Sequence, residues 1–255
     1  MNIERPFHLD GEVALITGGG TGIGLGIARC MVLAGARVVL VGRRRELLMH
    51  ACAELGPQSS FVAHDINVFE AAGDLADAAR QQAQGPITIL VNNAGTHLKK
   101  DAVDTTPEEF QAVLNTHVLA AHALTCALVP AMEAQRHGSI LFTSSMSAFM
   151  GVPRILAYSA AKSAYFGMVA TLSAELAAKG IRVNAIAPGW IFSDMTQMAL
   201  DNDPPRKSKV MSRIQMGRMG KPEDIGWAAV YLSSRAAEYV TGITLPVDGG
   251  ATAGF

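Results

Sequence analysis

Little in these 255 residues speaks for metal or disulfide chemistry. The three cysteines, Cys30, Cys52 and Cys126, are odd in number and lack ligand spacing, so no metal site or disulfide framework is expected. They read as buried apolar thiols in a reducing compartment. No excess of either charge exists: 21 Lys and Arg stand against 22 Asp and Glu. No global field therefore draws the chain onto nucleic acid or an anionic membrane, and a charged ligand must be met locally. The opening "MNIERPFHLDGE" has no apolar leader core, and no stretch approaches ~18 uninterrupted apolar residues, so a cytoplasmic place is expected. There is also no linker, low-complexity tract or internal repeat. With 49% hydrophobic and only 17% charged residues, disorder is excluded as well.

What is present is a rhythm. Seven short Val- and Ile-rich runs recur: "VALITG", "RVVLVG", "SFVAHD", "ITILVNNAG", "GSILFTSS", "IRVNAIAPG" and "ITLPVDGG". They are near-continuously apolar rather than alternating, as strands covered on both faces are. Helical stretches separate them, which predicts βαβ units with right-handed crossovers. The expected fold is α/β: one Rossmann-type doubly wound parallel sheet of about seven strands over residues 1–255. Residues 190–217, broken by Pro204-Pro205, read as a substrate loop or lid.

The first strand runs into "TGGGTGIG", which lacks the G-x-G-x-x-G spacing; Gly18, Gly22 and Gly24 are spaced G-x-x-x-G-x-G instead. The physics survives the change, because glycines let backbone approach a pyrophosphate and the following helix aims free N–H groups at it. A second absence follows. Where an acid at the end of the second strand would hold the ribose 2′-hydroxyl of NAD, this chain has Gly42 and then Arg43, Arg44 and Arg45. Three cations opening a helix oppose its dipole. A 2′-phosphate accounts for them, so NADP(H) is preferred, with NAD(H) possible.

Tyr158 and Lys162 in "YSAAK" stand one helical turn apart on one face. Alone, that spacing describes any amphipathic helix. Together with "TGGGTGIG", "HD" at 64–65, "NNAG" at 92–95, "SS" at 144–145, "PG" at 188–189 and "VDGG", the chain closely resembles the short-chain dehydrogenase/reductase family over nearly its whole length. The resemblance implies Ser145, Tyr158 and Lys162 as catalytic residues. Gly18, Gly22, Ile23, Gly24, Arg43, Asp65, Asn92, Ala94, Gly95, Tyr158, Lys162, Pro188, Gly189, Ile191 and Ser193 are implied in cofactor binding. In that role Tyr158 exchanges a proton with the substrate oxygen, although an ordinary phenol titrates near ~10. A cation ~4 Å away at an effective dielectric of ~20 favours phenolate by about 4 kcal/mol, or about 3 pKa units, so Lys162 is expected to bring Tyr158 toward neutrality.

One position departs from the family. An asparagine seven residues after the helix aromatic would fall, counting from Phe110, on His117. In the family that asparagine's main-chain carbonyl holds a water connected to the lysine. A histidine also has a carbonyl, and its imidazole is expected to point away from it. His97, Lys99, Lys100 and Arg154 are cations near the expected substrate mouth and resemble those of sugar-acid enzymes such as gluconate 5-dehydrogenases. The expectation is interconversion of a secondary alcohol and a ketone on a sugar acid or polyol. The rivals are a 3-oxoacyl carrier-protein reductase and a non-catalytic NADPH-binding sensor. The resemblance implies a homotetramer acting on a small molecule.

Overall fold

The computed structural model describes residues 5–193, 198 and 201–254. Its strands are β1 (Val13–Thr17), β2 (Arg37–Gly42), β3 (Ser59–Ala63), β4 (Ile89–Asn92), β5 (Gly138–Thr143), β6 (Ile181–Pro188) and β7 (Thr244–Val247). They form one parallel sheet in the order β3-β2-β1-β4-β5-β6-β7. The helices are α1 (Gly22–Leu33), α2 (Arg45–Leu55), α3 (Ala72–Ala83), α4 (Pro107–Leu114), α5 (Ala120–Gln135), α6 (Leu156–Leu176), α7 (Pro204–Arg213) and α8 (Pro222–Ser233).

Both sheet faces are covered, which is why the strands carry continuous apolar runs. Val13 and Leu15 of β1 turn toward a core with Leu75 of α3, Leu124 and Leu128 of α5 and Val169 of α6. Ala14 and Ile16 turn the other way, toward Ile27 of α1, Leu48 of α2 and Ile225 of α8. The chain moves outward from β1 to β3 and then returns to place β4 on the other side of β1. At that reversal the loops beyond the strand ends diverge, and a crevice opens at the carboxyl edge.

From Pro107 to Gln135 the chain is helical throughout, with a mean hydropathy of 1.6 in its most apolar window. Leu124, Leu128 and Met132 of this stretch lie in the sheet core. Between α4 and α5 it widens into a π turn, Asn115–Leu119. The cysteines only partly follow expectation. Cys30 is buried and its thiol is pushed up to about 11, first by burial. Cys126 is exposed, because α5 turns it outward one turn from His122.

Candidate active site

A cleft of about 520 Å³ occupies the crevice. Its floor is the turn between β1 and α1. Gly18 has φ +66, and a side chain there would press on Ala94 Cα at 3.0 Å. A Cβ on Gly24 would lie 2.2 Å from the Gly18 carbonyl oxygen, so the start of α1 meets the turn only because both are glycine. Thr21 caps α1 without a side-chain hydrogen bond, leaving the first N–H groups of a twelve-residue helix to a ligand. Ile23, Arg43, Arg44, His64, Asp65, Ala94 and Gly95 line the same cleft. His64 Nε2 is buried there without a partner among the described residues. A glycine cradle, a helix N-terminus, two cations and a waiting polar atom suit a dinucleotide.

Three expected residues are placed differently. Asn92 is turned into the core, where its amide donates to Thr125 Oγ1 at 3.3 Å; its neighbour Asn93 lines the cleft and donates to the Thr17 carbonyl at 3.0 Å. The reason is strand alternation, since Asn92 is the last residue of β4 and its side chain points toward α5. Of the three arginines, Arg45 leaves the cleft and lies over the Phe61 ring at 5.3 Å. Arg43 Nη1 stands 4.0 Å from Asp65 Oδ2. Ile191 borders a second hollow, with Trp190, Met216 and Asp248, rather than this cleft. Pro188 ends β6, and Gly189 packs so close to Asp248 that a Cβ would meet its Cα at 2.6 Å. Gly22 opens α1 at φ +54. Of the expected lid 190–217, residues 194–197, 199 and 200 lie outside the described residues.

Ser145, Tyr158 and Lys162 do come together. β5 delivers Ser145 just beyond its end, and α6 brings the other two along one face. The Ser145 hydroxyl accepts from Ser147 N at 3.1 Å and is hydrogen-bonded to the Tyr158 hydroxyl. Lys162 is buried and donates from Nζ to the Thr143 carbonyl at 2.6 Å, with Nζ 5.5 Å from the Tyr158 ring centroid. The electrostatics correct the sequence expectation. Burial pushes the Tyr158 phenol above its ordinary value, the Ser145 hydrogen bond opposing it, and burial lowers Lys162 to about 7. Lys162 does not pull the phenol toward neutrality, because the ammonium itself is desolvated and its direct bond goes to a backbone carbonyl.

His117 sits inside the π turn, buried at 1% exposure. Its Nε2 lies 2.8 Å from the Thr96 carbonyl and 3.1 Å from Thr96 N, and its ring meets Tyr158 edge-on at 5.5 Å. Burial first, then the Lys162 charge, lowers it to about 3, so the ring is neutral at any working pH. As expected, the imidazole points away from its own carbonyl. That carbonyl accepts from the Tyr165 hydroxyl at 2.7 Å, a contact sequence reasoning missed. Its only trace was an aromatic three residues after Lys162, on the same helix face.

At the mouth, two of the four expected cations are neutralised: Lys100 Nζ lies 2.8 Å from Glu109, and Arg154 Nε lies 3.0 Å from Asp101. The His97 ring packs on Tyr158 at 4.8 Å between centroids. Partial burial, then the charges of Lys99 and of Arg206 on α7, lowers its pKa.

Such a cleft, with a serine, a tyrosine and a lysine converging beyond Gly95 and His117, defines a nucleotide-dependent oxidoreductase acting on CH–OH groups. Over residues 18–252 the chain matches the family described as enoyl-(acyl carrier protein) reductase, and it belongs to the short-chain dehydrogenase/reductase family. Galactitol 2-dehydrogenase (L-tagatose-forming) of Cereibacter sphaeroides is 37% identical over 99% of this chain and 99% of its own length. A 2-dehydro-3-deoxy-D-gluconate 5-dehydrogenase of Bacillus subtilis is 38% identical over 97% of each chain. Among solved structures, one from Agrobacterium tumefaciens, described as a candidate 2-deoxy-D-gluconate 3-dehydrogenase with bound NADP, is 39% identical with a TM-score of 0.89, covering 98% of this chain and 100% of the other.

Proposed function

We propose that this chain is an NADP(H)-preferring oxidoreductase that interconverts the secondary alcohol and ketone forms of a sugar acid. The observation that carries the substrate class is the sorting of cations at the mouth. Lys100 and Arg154 face carboxylates, whereas the charges of Lys99 and Arg206 act on His97, which lies on the Tyr158 ring. Two cations whose charge is felt at an imidazole next to the phenol that handles the substrate oxygen suit a carboxylate a few carbons from a carbonyl.

Arg43 and Arg44 would hold the 2′-phosphate, Gly18, Gly24 and the N-terminus of α1 the pyrophosphate, and Lys162 the nicotinamide ribose. When bound, the nicotinamide supplies or accepts the hydride. The protein's own residues handle the proton. Ser145 orients the substrate oxygen and Tyr158 delivers the proton to it during ketone reduction. A phenol pushed above its ordinary value is protonated at neutral pH, so it stands ready as an acid, while alcohol oxidation needs phenolate and gains from alkaline pH. In this reading the enzyme is a homotetramer that covers exposed Leu119 at the head of α5 and Leu156 at the head of α6.

The test is a panel of sugar acids, polyols of equal length and 3-oxoacyl thioesters, each assayed with both cofactors. The reading expects the highest kcat/KM with a sugar acid and NADP(H). It also expects Lys99→Ala and Arg206→Ala to raise KM for the acid and leave that for the polyol unchanged. A neutral polyol or an acyl thioester turned over best would replace the substrate class. Tight NADPH binding without turnover of any ketone would favour a sensor.

A further inference from the structure

We propose that Tyr165 is a positioning residue for Lys162, its ring face carrying the ammonium and its hydroxyl closing the backbone carbonyl that the π turn opens. Tyr165 is 1% exposed and packs against Phe142 at 5.0 Å between centroids, so its ring cannot swing aside. Lys162 Nζ lies 5.1 Å from the Tyr165 centroid and 5.5 Å from that of Tyr158, between two aromatic faces. An ammonium has three donors, and one of them reaches the Thr143 carbonyl at 2.6 Å. No carboxylate acts on it among the described residues. The negative faces of the two rings are therefore what offsets desolvation of the charge.

The hydroxyl acts at the other end of the ring. A π turn leaves a helix carbonyl without its usual partner, and the carbonyl of His117 receives the Tyr165 hydroxyl at 2.7 Å. That is the atom to which the family resemblance assigns a water leading toward the lysine. Here the hydroxyl of a side chain on the lysine's own helix bonds that same atom, locking α6 to the π turn and with it the height of Lys162 against β5.

The groups facing Lys162 Nζ are the Thr143 carbonyl of β5, Tyr158 and Tyr165 on α6, His117 on the π turn and, past Tyr158, His97, while the Ser144 hydroxyl donates to the backbone carbonyl of Lys162. Of these His117 is neutral, and burial holds both phenols protonated near pH 7. A titration of Lys162 is therefore legible.

The inference rests on Tyr158 and Lys162 being the catalytic pair, so the experiment reads Lys162 directly, by NMR titration of labelled lysine side chains, beside the pH profile of ketone reduction. In Tyr165→Leu the Lys162 midpoint should fall by about one pH unit, the size of support that a desolvated cation draws from a ring face. The alkaline loss of reductive kcat should move by the same amount. Tyr165→Met, closer in length, reads the same shift if the leucine variant fails to fold. Tyr165→Phe keeps the ring, so the midpoint should stay while kcat drops about tenfold at unchanged KM, as the loss of one buried hydrogen bond predicts. An unmoved midpoint in the leucine and methionine variants, or an equal shift in Tyr165→Phe, overturns the proposal. A midpoint that moves as expected in a protein that reduces no ketone upholds the positioning of Lys162 and refutes the proposed reaction instead.

Discussion

Gly95 and His117 are twenty-two residues apart in the chain, yet a methyl group on one would strike the ring of the other. A Cβ built on Gly95 lies 2.3 Å from His117 Cε1, 3.0 Å from Nδ1 and 3.1 Å from Nε2. Gly95→Ala therefore forces the imidazole to retreat, and its exits are closed by Tyr158 on one side and by its bond to Thr96 on the other. Overpacking of this kind costs about 1–3 kcal/mol. A buried ring nitrogen left without a partner adds about 1–3 kcal/mol. The sum, about 2–6 kcal/mol, corresponds to a fall in Tm of roughly 4–24 °C for a chain of this size. Gly95 does not adopt a positive φ, so the cost is contact and not backbone strain. Removing the ring should then remove most of the penalty. In an His117→Ala background the same Gly95→Ala change should cost under about 1 kcal/mol, for a coupling of at least about 1 kcal/mol. The assay is a double-mutant cycle by urea denaturation at one protein concentration. Additive losses would refute the contact, and an unaltered Gly95→Ala would refute the packing of His117 altogether.

Tyr158→Phe should bind NADPH almost normally and lose kcat by about 10²–10⁴-fold, since only the proton transfer is removed; comparable turnover in single-turnover assays would end the mechanism. Arg43→Ala should raise KM for NADPH far more than for NADH, as a charge-assisted contact to phosphate is lost, and equal effects on both cofactors would show that Gly42 and Arg43 do not select the phosphate. Lys162→Met should abolish turnover yet raise Tm near neutral pH. The folded lysine titrates at about 7, below its unfolded value, so the unfolded chain binds more protons between pH 7 and the unfolded midpoint, and wild-type stability rises with pH across that window. The advantage of the methionine variant should accordingly shrink as pH climbs from about 7 toward about 10; a constant difference would show that Lys162 is not desolvated.

Much of the fold was legible because its determinants are local. Seven apolar runs between helical stretches follow from residue periods of two and 3.6 and from the need to cover both sheet faces, and the strand order obeys crossover rules. The glycine turn could also be read directly, since Gly18 and Gly24 stand where backbone must approach backbone. The convergence of Ser145, Tyr158 and Lys162 was legible only through the company of the other motifs, because a tyrosine and a lysine four apart mean little alone. What no local pattern carries is the identity of a distant partner. Tertiary packing turned Asn92 into the core and Asn93 into the cleft, drew Arg45 onto Phe61, and matched Lys100 and Arg154 to carboxylates while the charges of Lys99 and Arg206 act on His97. It also reversed the expected electrostatics of the catalytic pair. A charge pair viewed along one helix predicts a lowered phenol, but burial under β5 and the π turn desolvates both groups, and desolvation depends on everything packed around a side chain rather than on its neighbours in sequence.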